Sequence, residues 1–201
     1  NSIFDAEKIE KEFIYLCPEC GKAEKNSPLS GVLIIEYNYD SIKLKLNREK
    51  FLKMTPGKCW NYPELFPLNY SVNNNDVSFP GITEKKLSLL SLNSNPLSEH
   101  QYDGRTFLFM DETRNPTYSF KDRASILVAL KAIQLGINEI AAASTGNAGS
   151  SIAGICARLG MKSHLFVYKN IPETKRIQIQ SYGASLYIVD GDYDEAFDLC
   201  H

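Results

Sequence analysis

EIAAASTGNAGSSIAGICARLGMKSHLFVYKNIPETKRIQIQSYGASLYIVD, residues 139–190, decides the fold. Its hydrophobic period changes repeatedly. EIAAAS (139–144) reads as a buried strand, GNAGSSIAGICARLG (146–160) as a helix, and SHLFVY (163–168) as a strand. IPETKRIQIQSYG (171–183) reads as a helix with Pro172 near its first turn, and SLYIVD (185–190) as a third strand. On the C-terminal side DYDEAFDLCH (192–201) starts a further helix. On the N-terminal side RTFLFMDE (105–112) reads as a strand, RNPTYS (114–119) as a turn and FKDRASILVALKAIQLG (120–136) as a helix. In that helix Ile126, Leu130, Ile133 and Ile137 fall on one stripe at helical spacing. Alternating strands and helices with short connections predict an α/β fold, with parallel strands and helices on both faces.

The first half is less regular. VLIIEYNYD (32–40) and the alternating IKLKL (42–46) read as strands, PGKCWNYPELFPLNY (56–70) as irregular with one short helix, and SVNNNDVSFPG (71–81) as a loop. The chain has 201 residues, 43% hydrophobic and 11% aromatic, enough to bury a core. Its net charge is -2 and its basic residues are scattered, which argues against a nucleic-acid or membrane-surface partner. The longest weakly polar runs fall far short of the roughly 20 apolar residues that span a bilayer. Five irregularly spaced cysteines fit a reducing, cytoplasmic setting better than a disulfide framework.

Two constellations carry chemistry. In NPTYSFKDRA (115–124) the helix must start after Pro116. Ser119 is a good N-cap, and Asp122 three residues later completes a capping-box-like arrangement. Lys121 then sits in the first helical turn, where the positive end of the dipole disfavours a cation. That placement suits an amine meant to be neutral, which is a nucleophile toward a carbonyl cofactor. A surface lysine paired with Asp122 or Asp111 fits the same spacing. In ASTGNAGSS (143–151) a strand-to-helix turn lies at the carboxyl edge of the expected sheet, where ligands of open α/β folds gather. Gly146 and Gly149 permit close backbone approach, while Ser144, Thr145, Asn147 and the helix-start amides offer donors to an anion. An ordinary turn whose Ser or Thr merely caps the helix fits equally well.

Together, in this order and separated by one helix and one strand, the two motifs resemble the fold-type II (tryptophan synthase β-like) family of pyridoxal-phosphate enzymes, most closely threonine synthase. NPTYSFKDRA resembles that family's NPTGSFKDRG motif, and Ser144-Thr145-Gly146-Asn147-Ala148 its S-[ST]-G-N-[TA] motif. The resemblance continues through IPETKRIQIQSYGASLYIVDGDYDEAFDLC, with its Pro-x-x-Lys, and is fainter over residues 31–70. It implies that Lys121 forms the Schiff base with pyridoxal 5'-phosphate and that Asn147 bonds the cofactor's ring oxygen. It also implies that Ser144, Thr145, Asn147 and Ala148 hold the substrate carboxylate. Tyr118 and Ala124 stand where the family motif has glycine, which leaves the substrate open. The family's glycine-rich phosphate loop belongs to a later half, so the chain is expected to be a fragment of a longer enzyme.

Cys17-Pro-Glu-Cys20-Gly-Lys looks like one zinc knuckle, but a structural zinc needs four ligands and NSPLSG offers none where a second knuckle would stand. We expect a degenerate knuckle and no metal. CPEC is also similar to a redox CPxC motif, without the βαβ context that motif requires. Lys175 and Arg176 read as a solvated helix face, and the acidic group at 190–195 as a helix start.

The resulting expectation is a knuckle-like segment over 1–35, part of a large cofactor domain over 36–138 and a small three-layer α/β domain over 139–201. The expected activity is that of a cytoplasmic threonine synthase, a pyridoxal-phosphate-dependent carbon–oxygen lyase acting as monomer or homodimer on a small amino-acid substrate. A threonine or serine dehydratase, or a non-catalytic paralogue that binds a small molecule, are the competing readings.

Overall fold

The computed structural model describes residues 3–5, 8, 11–12, 14, 16–25, 27–53, 62–73, 76–90 and 97–201. Cys59 and the segments 54–61 and 91–96 lie outside them.

Residues 139–200 fold as the alternation predicts. Three parallel strands, β5 (Glu139–Ala143), β6 (Lys162–Tyr168) and β7 (Ser185–Val189), form a sheet in that order. Helices α5 (Asn147–Leu159), α6 (Glu173–Ser181) and α7 (Tyr193–Cys200) follow the successive strands. β6 is central, and it alternates: Ser163, Leu165 and Val167 are buried, while His164, Phe166 and Tyr168 are half-buried. Helix α5 carries small and apolar residues on every side and is buried from Gly149 to Cys156. Against it packs α4 (Lys121–Gln134), whose Ile126, Ala129 and Leu130 are fully buried in the same core. Asp192 and Glu195 close a reciprocal capping box at the start of α7, which is the use the acidic cluster was expected to have.

The first half departs from expectation in three places. Neither VLIIEYNYD nor IKLKL is a strand. Residues 33–38 have no regular structure and Tyr39–Lys45 form helix α1, followed by α2 (Arg48–Lys53). The Asn38 side chain accepts from the Ser41 amide, Asp40 lies in the first turn, and Lys43 and Lys45 lie in the last. Cap and charges suit a helix, which pairs its own backbone groups where a strand would need a neighbour. The other two departures are antiparallel strand pairs. Within SVNNNDVSFPG, read as a loop, strand β1 (Ser71–Asn73) pairs antiparallel with β2 (Asp76–Ser78), and after helix α3 (Glu84–Leu90) strand β3 (Leu97–Tyr102) pairs antiparallel with β4 (Arg105–Met110). Asp103 and Gly104, both at positive φ, make the two-residue turn between them.

The knuckle-like segment keeps its turn. The Gly21 amide donates to the Cys17 carbonyl at 2.7 Å, and Cys17 is buried while Cys20 is exposed. Among the described residues, no group of three or more His, Cys, Asp or Glu side chains is placed to hold a metal ion.

Candidate active site

The turn before α4 is built around one buried carboxylate. Asp122 is fully buried. Its carboxylate accepts from the Thr117 amide at 2.6 Å, from the Thr117 hydroxyl at 2.5 Å and from the Ser151 hydroxyl at 2.6 Å. Ser151 also lies 2.7 Å from the Ser125 hydroxyl. The capping box expected of Ser119 and Asp122 is therefore absent: Ser119 Oγ accepts from the Lys121 amide at 3.2 Å, but Asp122 turns inward, to the preceding loop and to α5. A buried charge needs such donors, because leaving one unpaired costs several kcal/mol. The loop is closed further by Asn115, whose Nδ2 donates to Glu112 at 2.6 Å and to the Ser119 carbonyl at 3.0 Å. Glu112 in turn accepts from Arg123.

This arrangement leaves Lys121 outside. Its side chain is exposed, with Nζ 4.8 Å from the centroid of the Phe120 ring. Neither aspartate that the surface-lysine reading would pair with it does so. Asp122 is engaged inward, and Asp111 accepts from Arg114 at 3.2 Å and from Thr113. The Thr113 hydroxyl, its amide and Arg114 hold the Asp111 carboxyl below its ordinary range. Lys121 has no ion-pair partner among the described residues.

The second turn lies at the carboxyl edge of the sheet, between β5 and α5. Ser144 Oγ accepts from the Gly149 amide at 3.0 Å, so this serine does cap the helix. Gly149 makes that possible: a Cβ there would stand 2.4 Å from the Ser144 carbonyl oxygen. The first helical amides, Asn147 and Ala148, precede the first intrahelical hydrogen bond and are helix-start donors. Thr145 is half-buried, and Asn147 and Ala148 are exposed.

Asp122 joins the two turns. It is the second residue of α4, and its partner Ser151 is the fifth of α5, so both helices begin at the same end of their shared interface. Lys121 and the Ser144–Ala148 turn thus border one surface. Lys175, in the first turn of α6, also comes there: its Nζ donates to Asn147 Oδ1 at 2.6 Å. Sequence reasoning placed Lys175 on a solvated face. The available signal was its position, since like Lys121 it is a cation at the positive end of a helix.

The family description "Pyridoxal-phosphate dependent enzyme" matches residues 89–201. This chain belongs to that family. Among curated relatives of this pyridoxal-phosphate enzyme, it is 32% identical over 194 residues to a threonine synthase of Methanocaldococcus jannaschii, covering 94% of the chain and 42% of that protein. It is 41% identical over 86 residues to a threonine synthase of a Bacillus species, covering 42% of the chain and 24% of that protein. The chain spans less than half the length of these relatives. Two solved structures share its fold: a hydrogen sulfide-producing enzyme of Fusobacterium nucleatum, TM-score 0.52 and 22% identity, covering 59% of the chain and 41% of the other, and a cysteine synthase of Entamoeba histolytica, TM-score 0.50 and 20% identity, covering 66% and 41%. The fold-type II α/β architecture read from the sequence is the fold observed.

The donor set fits the family's cofactor. A primary amine with no carboxylate partner among the described residues suits an aldehyde, the Asn147 amide suits a ring oxygen, and the open start of α5 suits an anion. No helix among the described residues is long and apolar enough to cross a membrane.

Proposed function

We propose that the protein acts as a threonine synthase, converting O-phosphohomoserine and water to threonine and phosphate, with Lys121 as its catalytic residue. The observation that carries this is Lys121 itself, a lysine left unpaired among the described residues at the start of α4 by a network that spends both nearby aspartates elsewhere. The named relatives support the choice of reaction. The bound cofactor supplies an electron sink for carbanions. The chain's own groups do the rest. Lys121 Nζ binds the cofactor and afterwards takes and returns protons at the substrate carbons. Asn147 Nδ2 donates toward the cofactor ring. Thr145, the Ser144 hydroxyl and the amides of Asn147 and Ala148 orient the substrate carboxylate at the positive end of α5. The proposal carries with it a cytoplasmic setting, a small amino-acid substrate and no nucleic-acid or membrane partner.

Borohydride reduction of the natural protein should fix pyridoxal phosphate on Lys121, located by peptide mass spectrometry. Lys121→Ala should lose both the fixed adduct and the formation of threonine from O-phosphohomoserine. Full turnover by that variant would end the assignment. Tyr118 favours a second substrate class. It is exposed at the turn before the lysine, where the family motif has glycine, and a larger side chain there would suit a different substrate, such as that of a dehydratase acting on threonine or serine. Product analysis with O-phosphohomoserine against threonine and serine separates the two. A non-catalytic binding paralogue would have no use for the reactive amine.

A further inference from the structure

The start of α6 holds a cation whose partners are all neutral. Lys175 Nζ donates to Asn147 Oδ1 at 2.6 Å, to Gln178 Oε1 at 2.9 Å and to Ser150 Oγ at 3.4 Å. An ammonium has three donors and no acceptor, so these three oxygens account for all of it. Gln178, one turn further along α6, is itself oriented, because its Nε2 faces the Tyr182 hydroxyl at 3.5 Å. Among the described residues Lys175 has no carboxylate partner. Arg176, its neighbour, is the one that pairs with Glu173.

We propose that Lys175 is a positioning residue that fixes the side-chain amide of Asn147. A planar amide can present its oxygen or its nitrogen to a neighbour, and the two orientations ordinarily compete. Facing an ammonium, only the oxygen is tolerated, because the flipped group would set N–H donors against N–H donors. The short charge-assisted bond to Oδ1 therefore leaves Nδ2 facing away from the Lys175 ammonium. A donor aimed in advance binds an acceptor without first losing rotamer freedom. The link also crosses elements. Asn147 opens α5 and Lys175 opens α6, so the turns after β5 and β6 are tied at the edge of the sheet where the site lies. The functional consequence rests on Asn147 meeting the cofactor, as proposed above.

The test has one arm without cofactor and one with it. In the ligand-free natural protein, the Asn147 side-chain amide should give one dispersed, slowly exchanging pair of NMR signals. Lys175→Met should move them to the shifts and fast solvent exchange of a free asparagine, and Lys175→Arg, which keeps a cationic donor, should restore them. Spectroscopic titration of the apoprotein with pyridoxal phosphate should show about three- to tenfold weaker binding for Lys175→Met, the worth of one hydrogen bond. In an Asn147→Ala background the same change should add nothing. Unchanged Asn147 signals in Lys175→Met, or a full additive loss in the double variant, would overturn the proposal. Failure of Lys121 to carry the cofactor would remove the proposed function but leave the ligand-free arm standing.

Discussion

Replacing Gly154 with alanine should disturb the lysine turn from behind. Gly154 lies in the middle of α5, and a Cβ built there would stand 2.4 Å from Thr117 Cγ2 and 3.3 Å from the Tyr182 ring. Carbon atoms prefer about 3.5–4.0 Å, so the methyl would have to retreat by more than about 1 Å. Thr117 is poorly placed to give way. Its hydroxyl and amide are both bonded to Asp122, and Asp122 is bonded to Ser151 on the very helix that would push. Rotating the threonine to move its methyl would break the hydroxyl bond. Overpacking of this kind costs about 1–3 kcal/mol, against a gain of about 1 kcal/mol for alanine over glycine in a helix. The expected net loss is about 1 kcal/mol, or about 2–4 °C in Tm for a chain of this size. Urea and thermal denaturation measure it, and borohydride fixation of the cofactor should fall with it because Lys121 follows Thr117 on a short tether. Thr117→Ser removes Cγ2 but keeps the hydroxyl, so it should rescue Gly154→Ala. A Gly154→Ala variant as stable as the parent, or one that Thr117→Ser does not rescue, would refute the view that this contact is held rigid.

Other outcomes follow from the same geometry. Asp122→Asn turns an acceptor into a donor facing donors and should cost about 2–3 kcal/mol in urea unfolding; an unchanged midpoint would show that the network contributes no stability. Tyr118 holds φ at +64° with an exposed side chain, so Tyr118→Gly should raise stability by about 0.5–1 kcal/mol, whereas a loss would reveal a contact made by the ring. Lys162 and then His164 hold the Glu139 carboxyl below its ordinary 4.5. Its contribution is thus complete above that value and lost as pH falls through the lower folded one. Glu139→Gln should lower stability at neutral pH and converge with the parent at low pH, which flattens the acid limb, and an unaltered acid limb would contradict the pairing.

What the sequence disclosed depends on where the decisive partner sits. From Lys121 onward, period, caps and turns agree locally, and the elements could be read in order with only their ends in doubt. In IKLKL a seven-residue helix with no buried residue has no core-facing stripe, so alternation misled where the Asn38 cap did not. The hairpin β3–β4 was readable in part: Asp103-Gly104 is a turn signal, but it was passed over because the preceding Asn- and Ser-rich stretch masked the first strand. Asp122 was assigned to its own helix because capping is a rule about near neighbours. Its true partner, Ser151, lies in another helix, and no local spacing announces it. Lys175 was passed over for the same reason, since Asn147 comes beside it only through the parallel sheet.

Thr117, Asp122, Ser151 and Gly154 form an interlocking set, and this constrains how the sequence can drift. A change at one member has consequences set by the other three, so tolerated changes should arrive in combinations, as the Thr117 and Gly154 pair illustrates. Residues between the members are released from that bargain. Tyr118 and Ala124, the two positions that depart from the family's motif, are both exposed, and neither side chain enters the interlock. Variation around this lysine is therefore channelled outward, to exposed side chains, while the frame behind them stays fixed.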